Sequence, residues 1–195
     1  MKFPHLPEKA REILTQTGAF QEGHFQLTSG LHSHGYLQCA LILQYPQHAE
    51  FISRELAIRL ADKKPDVVLS PALGGIVLGY ELARALSCRG IFAERVSGEM
   101  KLRRGFSIRE NERVLIAEDV VTTGGSVQEL KAIAEASGAK VVGFTAICDR
   151  SDGHFNPPEG LYPWVTLSIE TFAPDVCPLC REGIPIFKPG SRWKP

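Results

Sequence analysis

Four short apolar runs constrain the fold of this chain more than any other feature: Val67-Val68-Leu69-Ser70, Ile91-Phe92-Ala93, Val114-Leu115-Ile116-Ala117 and Val141 to Cys148. None alternates between apolar and polar residues, so each reads as a strand covered on both faces, as strands of a parallel sheet are. Helix-period segments fall around and between them. Ala49 to Ala61 places Ile52, Leu56 and Leu60 on one face. Ile76 to Leu86 is apolar nearly all round, which predicts a helix sandwiched between layers. Val127 to Ser137 carries Val127, Leu130 and Ala134 on one stripe and meets Gly138 as its stop. Glu8 to Thr17, ended by Gly18, predicts an N-terminal helix, and Val165 to Ile169 alternates like a strand with one wetter face. The order β-α-β-β-α-β predicts an α/β fold with an open, mostly parallel sheet flanked by helices. Residues 20–45, rich in Gly, His and Ser, and the proline-rich stretch 151–195 read as irregular coverings on a single domain spanning 1–195.

Bulk properties narrow the function. At 195 residues the chain is long enough for one proper core. Its 22 Lys plus Arg balance 22 Asp plus Glu, so no global cationic field is present to hold nucleic acid, and an anionic ligand needs a local site. No apolar run is long enough to span a bilayer. Met1 to Gly18 carries Pro4, Pro7, Glu8 and Glu12 with no apolar core of a signal peptide, which predicts a cytoplasmic protein. Cys39, Cys88 and Cys148 sit in apolar stretches of a chain with 5 cysteines, an odd count that fits reduced thiols better than a disulfide framework.

The chemistry is concentrated where the third apolar run continues into Glu118-Asp119-Val120-Val121-Thr122-Thr123-Gly124-Gly125-Ser126 and then a helix. A buried strand that ends in two carboxylates is followed by a Thr/Gly turn and a helix N-terminus. Backbone N–H groups of the turn and the positive end of the helix dipole make an anion pocket, and Thr122, Thr123 and Ser126 add hydroxyl donors. The carboxylates would repel a phosphate, so they face something else; a ribose diol, which donates two hydrogen bonds, suits them. One loop can thus hold a sugar and its 5′-phosphate. No Lys follows the glycines as in a Walker A loop, and their spacing is not that of a Rossmann fingerprint.

The pattern from Val114 to Ser126 resembles the signature with which type I phosphoribosyltransferases bind 5-phosphoribosyl-1-pyrophosphate (PRPP). Three further stretches resemble the orotate phosphoribosyltransferase family in particular. Gly23 to Ser33 looks like its N-terminal loop over the base site. Ser70-Pro71-Ala72-Leu73-Gly74-Gly75 looks like its pyrophosphate loop, with Ala72, Leu73 and Gly74 at the contact. Cys148-Asp149-Arg150 ends the strand that follows the signature helix. Cys177 to Cys180 and Lys188 to Arg192 are similar to the tail of one bacterial branch.

The resemblance implies a type I phosphoribosyltransferase-like sheet with a small hood built from the N- and C-terminal segments. It implies that Glu118, Asp119, Val120, Val121, Thr122, Thr123, Gly124, Gly125 and Ser126 bind PRPP, that Thr122 and Arg150 bind orotate, and that the phosphoribosyl group passes to orotate. Mg²⁺ then comes with the PRPP oxygens rather than from protein side chains. A flexible basic loop between Glu94 and Phe106 supplies Arg95, Lys101 and Arg103 to stabilise the leaving pyrophosphate, across the interface of a homodimer. Two departures stand out: Thr28 and Gly74 occupy positions where the better-known branch has Lys. Other readings are a transferase for uracil or a purine, against which Arg150 argues as a cation suited to a carboxylated pyrimidine, and a non-catalytic PRPP-sensing regulator, against which the lack of a helix-turn-helix segment argues.

Cys177-Pro178-Leu179-Cys180 is the spacing of half a zinc site. A structural zinc needs four ligands, and no second CxxC or HxxxH pair occurs at fitting spacing, so reduced cysteines on a turn are expected. His32 and His34, two apart in the base loop, read as polar surface or substrate contacts.

Overall fold

Nine strands and six α-helices are formed by residues 3–27 and 29–189, the part of the chain that the computed structural model describes. Helix α1 spans Glu8–Thr17, strands β1 and β2 span Phe20–Gln26 and His32–Leu37, and helices α2 and α3 span Ala40–Leu43 and Pro46–Arg59. There follow β3 (Val67–Pro71), α4 (Gly75–Leu86), β4 (Arg89–Val96), β5 (Glu99–Leu102), β6 (Arg113–Val121), α5 (Gly125–Ala136), β7 (Lys140–Asp149), β8 (Leu161–Thr166), β9 (Thr171–Phe172) and α6 (Pro178–Arg181). The chain forms two compact units, one of residues 42–167 and one of the terminal segments up to Leu41 and from Ser168. Thr28 and Gly190 to Arg192, singled out in the sequence, lie outside the described residues.

The larger unit is the expected α/β sheet. Its six strands run in the order β5-β4-β3-β6-β7-β8. All neighbours are parallel except β4 and β5. Every residue of β3 is buried, as its unbroken apolar run requires. Val127, Leu130 and Ala134 of α5 join Leu69, Ile116 and Phe144 in one core cluster, so the stripe read from the sequence is the face that packs. Helix α5 stops at Ala136, and Gly138 follows at φ 73°.

Three expectations for this unit need correction. Helix α4 is not sandwiched: Leu78 and Leu82 are fully buried, yet Val77 and Tyr80 are 43% and 66% exposed. The last strand is Leu161–Thr166 rather than Val165 to Ile169. Its Pro163 lacks a ladder N–H, which an edge strand tolerates, and β8 is at the sheet edge. The basic segment after Glu94 is not a structureless loop. Ser97 and Gly98 take φ of 51° and 92°, the pair of positive φ angles that a two-residue hairpin turn demands, and they join β4 to β5.

The smaller unit corrects the reading of the chain ends as irregular. Strands β1, β2 and β9 form an antiparallel sheet in that order. Helix α1 buries Ala10, Ile13, Leu14 and Thr17, one helical face, and is stopped by Gly18 at φ 61°. The β1–β2 register shifts between Glu22 and Phe25, a bulge that re-aims the side chains around His24.

Candidate active site

Every PRPP-binding position read from the sequence lies at the C-terminal end of β6, in the turn that follows or in the first two residues of α5, where open α/β sheets hold their ligands. Glu118 is only 8% exposed, while Asp119 is half-buried. Glu118 Oε1 accepts the Asp119 N–H at 3.0 Å, and Asp119 Oδ1 accepts the Val120 N–H at 2.9 Å. Burial, and next the adjacent Asp119 carboxylate, push the Glu118 carboxyl well above its ordinary range. Side by side at the strand end, the two carboxyl groups offer oxygens to a pair of neighbouring hydroxyls.

Beyond the carboxylates, Thr122, Thr123 and Gly125 are exposed and Gly124 is buried. Gly124 immediately precedes α5 at φ 79°, and a Cβ there would stand 2.2 Å from the Phe155 ring, so only glycine lets the turn pass this close. No side chain caps α5. Its first N–H groups, with the helix dipole behind them, face outward as donors for an anion.

Two other strand ends meet this turn. Val121 of β6 pairs with Asp149 of β7, and the Arg150 N–H donates to the Val121 carbonyl at 2.8 Å. That bond sets the backbone of Arg150 at the start of the turn, next to Val121 and 28 positions from Thr122 in sequence. Cys148, on the same strand, has its thiol pushed up to about 12 by burial, which keeps it an inert neutral group. From the other side, the β3–α4 turn brings Gly74 against Asp119. A Cβ on Gly74 would meet the Asp119 carboxylate at 2.5–2.9 Å. Gly74 has φ −54° and ψ −43°, which any residue adopts, so its lack of a side chain serves the close approach alone. This explains in physical terms why no Lys stands here: a side chain would displace Asp119. Accordingly Gly74→Ala should leave the melting temperature nearly unchanged yet lower efficiency with PRPP by about tenfold, read by steady-state kinetics beside a thermal melt.

The leaving-group candidates fare differently. Arg95 is held by Glu129 of α5 at 2.7 Å and by the Gly98 carbonyl. Lys101 pairs with Glu99 at 2.8 Å, and Lys101 and Arg103 are exposed on the hairpin. Arg104, unassigned from sequence, binds Glu94 at 2.7 Å and holds its carboxyl below the usual range.

In the smaller unit the structure corrects the reading of the cysteines. Cys177 and Cys180 do have partners: their Sγ atoms, His24 Nε2 and His32 Nδ1 all lie within 4.8 Å of one another. His34 is exposed and takes no part. Sequence spacing concealed this because the pairs are 148 to 156 positions apart.

Comparison with known proteins agrees with the geometry. Residues 42–177 match the phosphoribosyl transferase domain model. The solved orotate phosphoribosyltransferase of Aeropyrum pernix superposes with a TM-score of 0.69 at 22% identity, over 80% of this chain and 92% of that one. An adenine phosphoribosyltransferase of Thermoanaerobacter pseudethanolicus reaches 0.61 at 16% identity, over 68% and 88%. Fold and signature together thus define the phosphoribosyltransferase class without choosing a base. A sequence relative does choose: an orotate phosphoribosyltransferase of Caldicellulosiruptor bescii is 56% identical over 183 residues, 94% of this chain and 96% of the relative. The chain belongs to the orotate phosphoribosyltransferase family.

Proposed function

We propose that this enzyme transfers the 5-phosphoribosyl group of PRPP to orotate, giving orotidine 5′-phosphate and pyrophosphate, a step of pyrimidine synthesis that we place in the cytoplasm. The observation that carries this reading is the meeting of three strand ends: the carboxylate pair and anion turn of β6, Arg150 after β7, and Gly74 after β3, locked by the Arg150-to-Val121 hydrogen bond. Glu118 and Asp119 grip the ribose hydroxyls. The N–H groups and hydroxyls from Thr122 to Ser126 take the 5′-phosphate, and the backbone of Ala72 to Gly74 takes the pyrophosphate. Thr122 and Arg150 orient orotate, whose ring nitrogen gives up its proton to solvent and forms the new bond to the ribose carbon as the bond to pyrophosphate oxygen breaks and that bond's electron pair leaves with pyrophosphate. No covalent protein intermediate is needed; the residues act by positioning and by meeting charge that develops in the transition state. Lys101 and Arg103, exposed on the basic segment after Glu94, meet the leaving-group charge: the Lys101–Glu99 pair is solvent-exposed and opens at little cost, whereas Arg95 is held by both Glu129 oxygens and the Gly98 carbonyl.

Magnesium takes about six oxygens in near-octahedral array. The ion would be carried by the PRPP oxygens, where it would neutralise charge on the departing pyrophosphate. A homodimer is supported by the exposed apolar pair Val77 and Tyr80 of α4, which a second subunit would cover. The test is a panel: purified protein, PRPP and Mg²⁺ with orotate, uracil, adenine, hypoxanthine or xanthine, following pyrophosphate release. Orotate alone should support turnover; release with another base and none with orotate would overturn the assignment.

A further inference from the structure

The geometry points to a structural zinc site, formed by His24, His32, Cys177 and Cys180, that fastens the C-terminal segment to the β1–β2 hairpin. The four donors are two thiols and two imidazoles, a set that suits zinc and not a hard cation such as magnesium. Their spacing is that of a coordination shell. His24 Nε2 lies 3.0 Å from His32 Nδ1, 3.6 Å from Cys177 Sγ and 3.7 Å from Cys180 Sγ, and Cys180 Sγ lies 3.3 Å from His32 Nδ1. A tetrahedron with Zn–S of about 2.3 Å and Zn–N of about 2.0–2.1 Å has edges of roughly 3.3–3.8 Å. Small adjustments suffice for one ion to touch all four.

The surroundings orient the ligands as metal sites do. His24 Nδ1 lies 2.8 Å from the Ile184 carbonyl, which only accepts, so Nδ1 carries the proton and Nε2 turns its lone pair to the cluster. His24, His32 and Cys177 are 3%, 6% and 0% exposed, whereas Cys180 is exposed and leaves a path for the ion to enter. Four protein ligands fill a tetrahedral shell, so the site is closed to substrate and structural in kind.

Its place explains what the ion does. Residues 178–188 bury almost nothing, each being exposed or half-buried. Besides the His24–Ile184 bond and an edge-on contact between the Phe25 and Phe187 rings, the ties of this segment to the hairpin are the bonds from the Phe187 N–H to the His24 carbonyl at 2.7 Å and from the Gln26 N–H to the Phe187 carbonyl at 2.8 Å. So little apolar burial cannot offset the entropy of ordering the segment, and a metal bound from both sides of the sequence supplies the deficit as folding free energy.

The test is independent of catalysis. Untagged full-length protein, purified under reducing conditions from zinc-containing medium, should carry about one zinc per chain by mass spectrometry. Replacing zinc with Co²⁺ should give tetrahedral d–d bands and a thiolate-to-cobalt charge-transfer band. Cys177→Ser and Cys180→Ser should each lose the metal or that band, and Cys88→Ser, distant in sequence and outside the cluster, should keep both. Stripping the metal should lower the melting temperature by at least about 5 °C and speed tryptic cleavage after Arg181. Wild-type protein with less than about a fifth of an equivalent of metal and no cobalt spectrum, a Cys177–Cys180 disulfide in the reduced preparation, or equal metal loss in Cys88→Ser would overturn the site. The cobalt spectrum of wild type decides the matter even where a cysteine variant fails to fold.

Discussion

Arg150→Ala should lose orotate use by the equivalent of about 2–5 kcal/mol, roughly thirty- to several-thousand-fold in kcat/KM. Arg150 is half-buried just after the end of β7, with its guanidinium Nε buried, so a carboxylate bound there leaves water on pairing, and removal of the cation strands it. The substitution keeps the backbone bond from residue 150 to Val121, so the turn that holds PRPP should survive and PRPP affinity should change by less than about threefold. Arg150→Lys keeps the charge and loses the planar fork, and should fall between wild type and alanine. Steady-state kinetics with orotate varied reads all three. Equal orotate turnover by wild type and Arg150→Ala would remove this residue from the site.

How far the sequence disclosed this protein depended on whether the information was contiguous. The β6–α5 signature was legible because strand end, carboxylates, turn and helix start follow one another without interruption from Val114 to Ser126. The sheet was legible because strands covered on both faces lack alternation. What was not legible was set by tertiary context. Gly23 to Ser33 hides two strands behind Gly, His and Ser, and its pairing is maintained through a bulge. Pro163 masks a strand that only its edge position permits. The open face of α4 looks like core in composition. Ser97-Gly98 was a hairpin signal of the right chemistry, obscured by the basic residues around it. The Cys/His cluster joins positions about 150 apart, a proximity no local spacing rule reveals. The steric contact of Gly74 with Asp119 likewise appears only once two loops from different strands are seen together.

The second large effect concerns the carboxylate pair. Asp119→Asn and Glu118→Gln keep size and remove charge-assisted hydrogen bonds, each of which contributes roughly 1.5–3 kcal/mol. Either should reduce efficiency with PRPP about ten- to hundred-fold, with orotate recognition through Thr122 and Arg150 less affected. Stability should move the other way. The folded state raises the Glu118 carboxyl above its ordinary range, first by burial and then by Asp119. The folded protein therefore holds that proton more tightly than the unfolded chain does. The stabilisation this gives is complete below the unfolded value and is lost as pH rises toward the folded one. Glu118→Gln removes the ionisation, so it should melt at or above wild type near pH 8, and this advantage should vanish below about pH 4. Solvated, functionless carboxylates would give a flat comparison.

The central claim is that the end of β6 and the turn into α5 form the PRPP site. Calorimetric titration of PRPP with Mg²⁺ into wild type, Glu118→Gln and Asp119→Asn, each first shown to melt normally, tests it most directly. The account predicts a single site per chain in wild type and at least about tenfold weaker binding in both variants; unchanged PRPP affinity in both would contradict it.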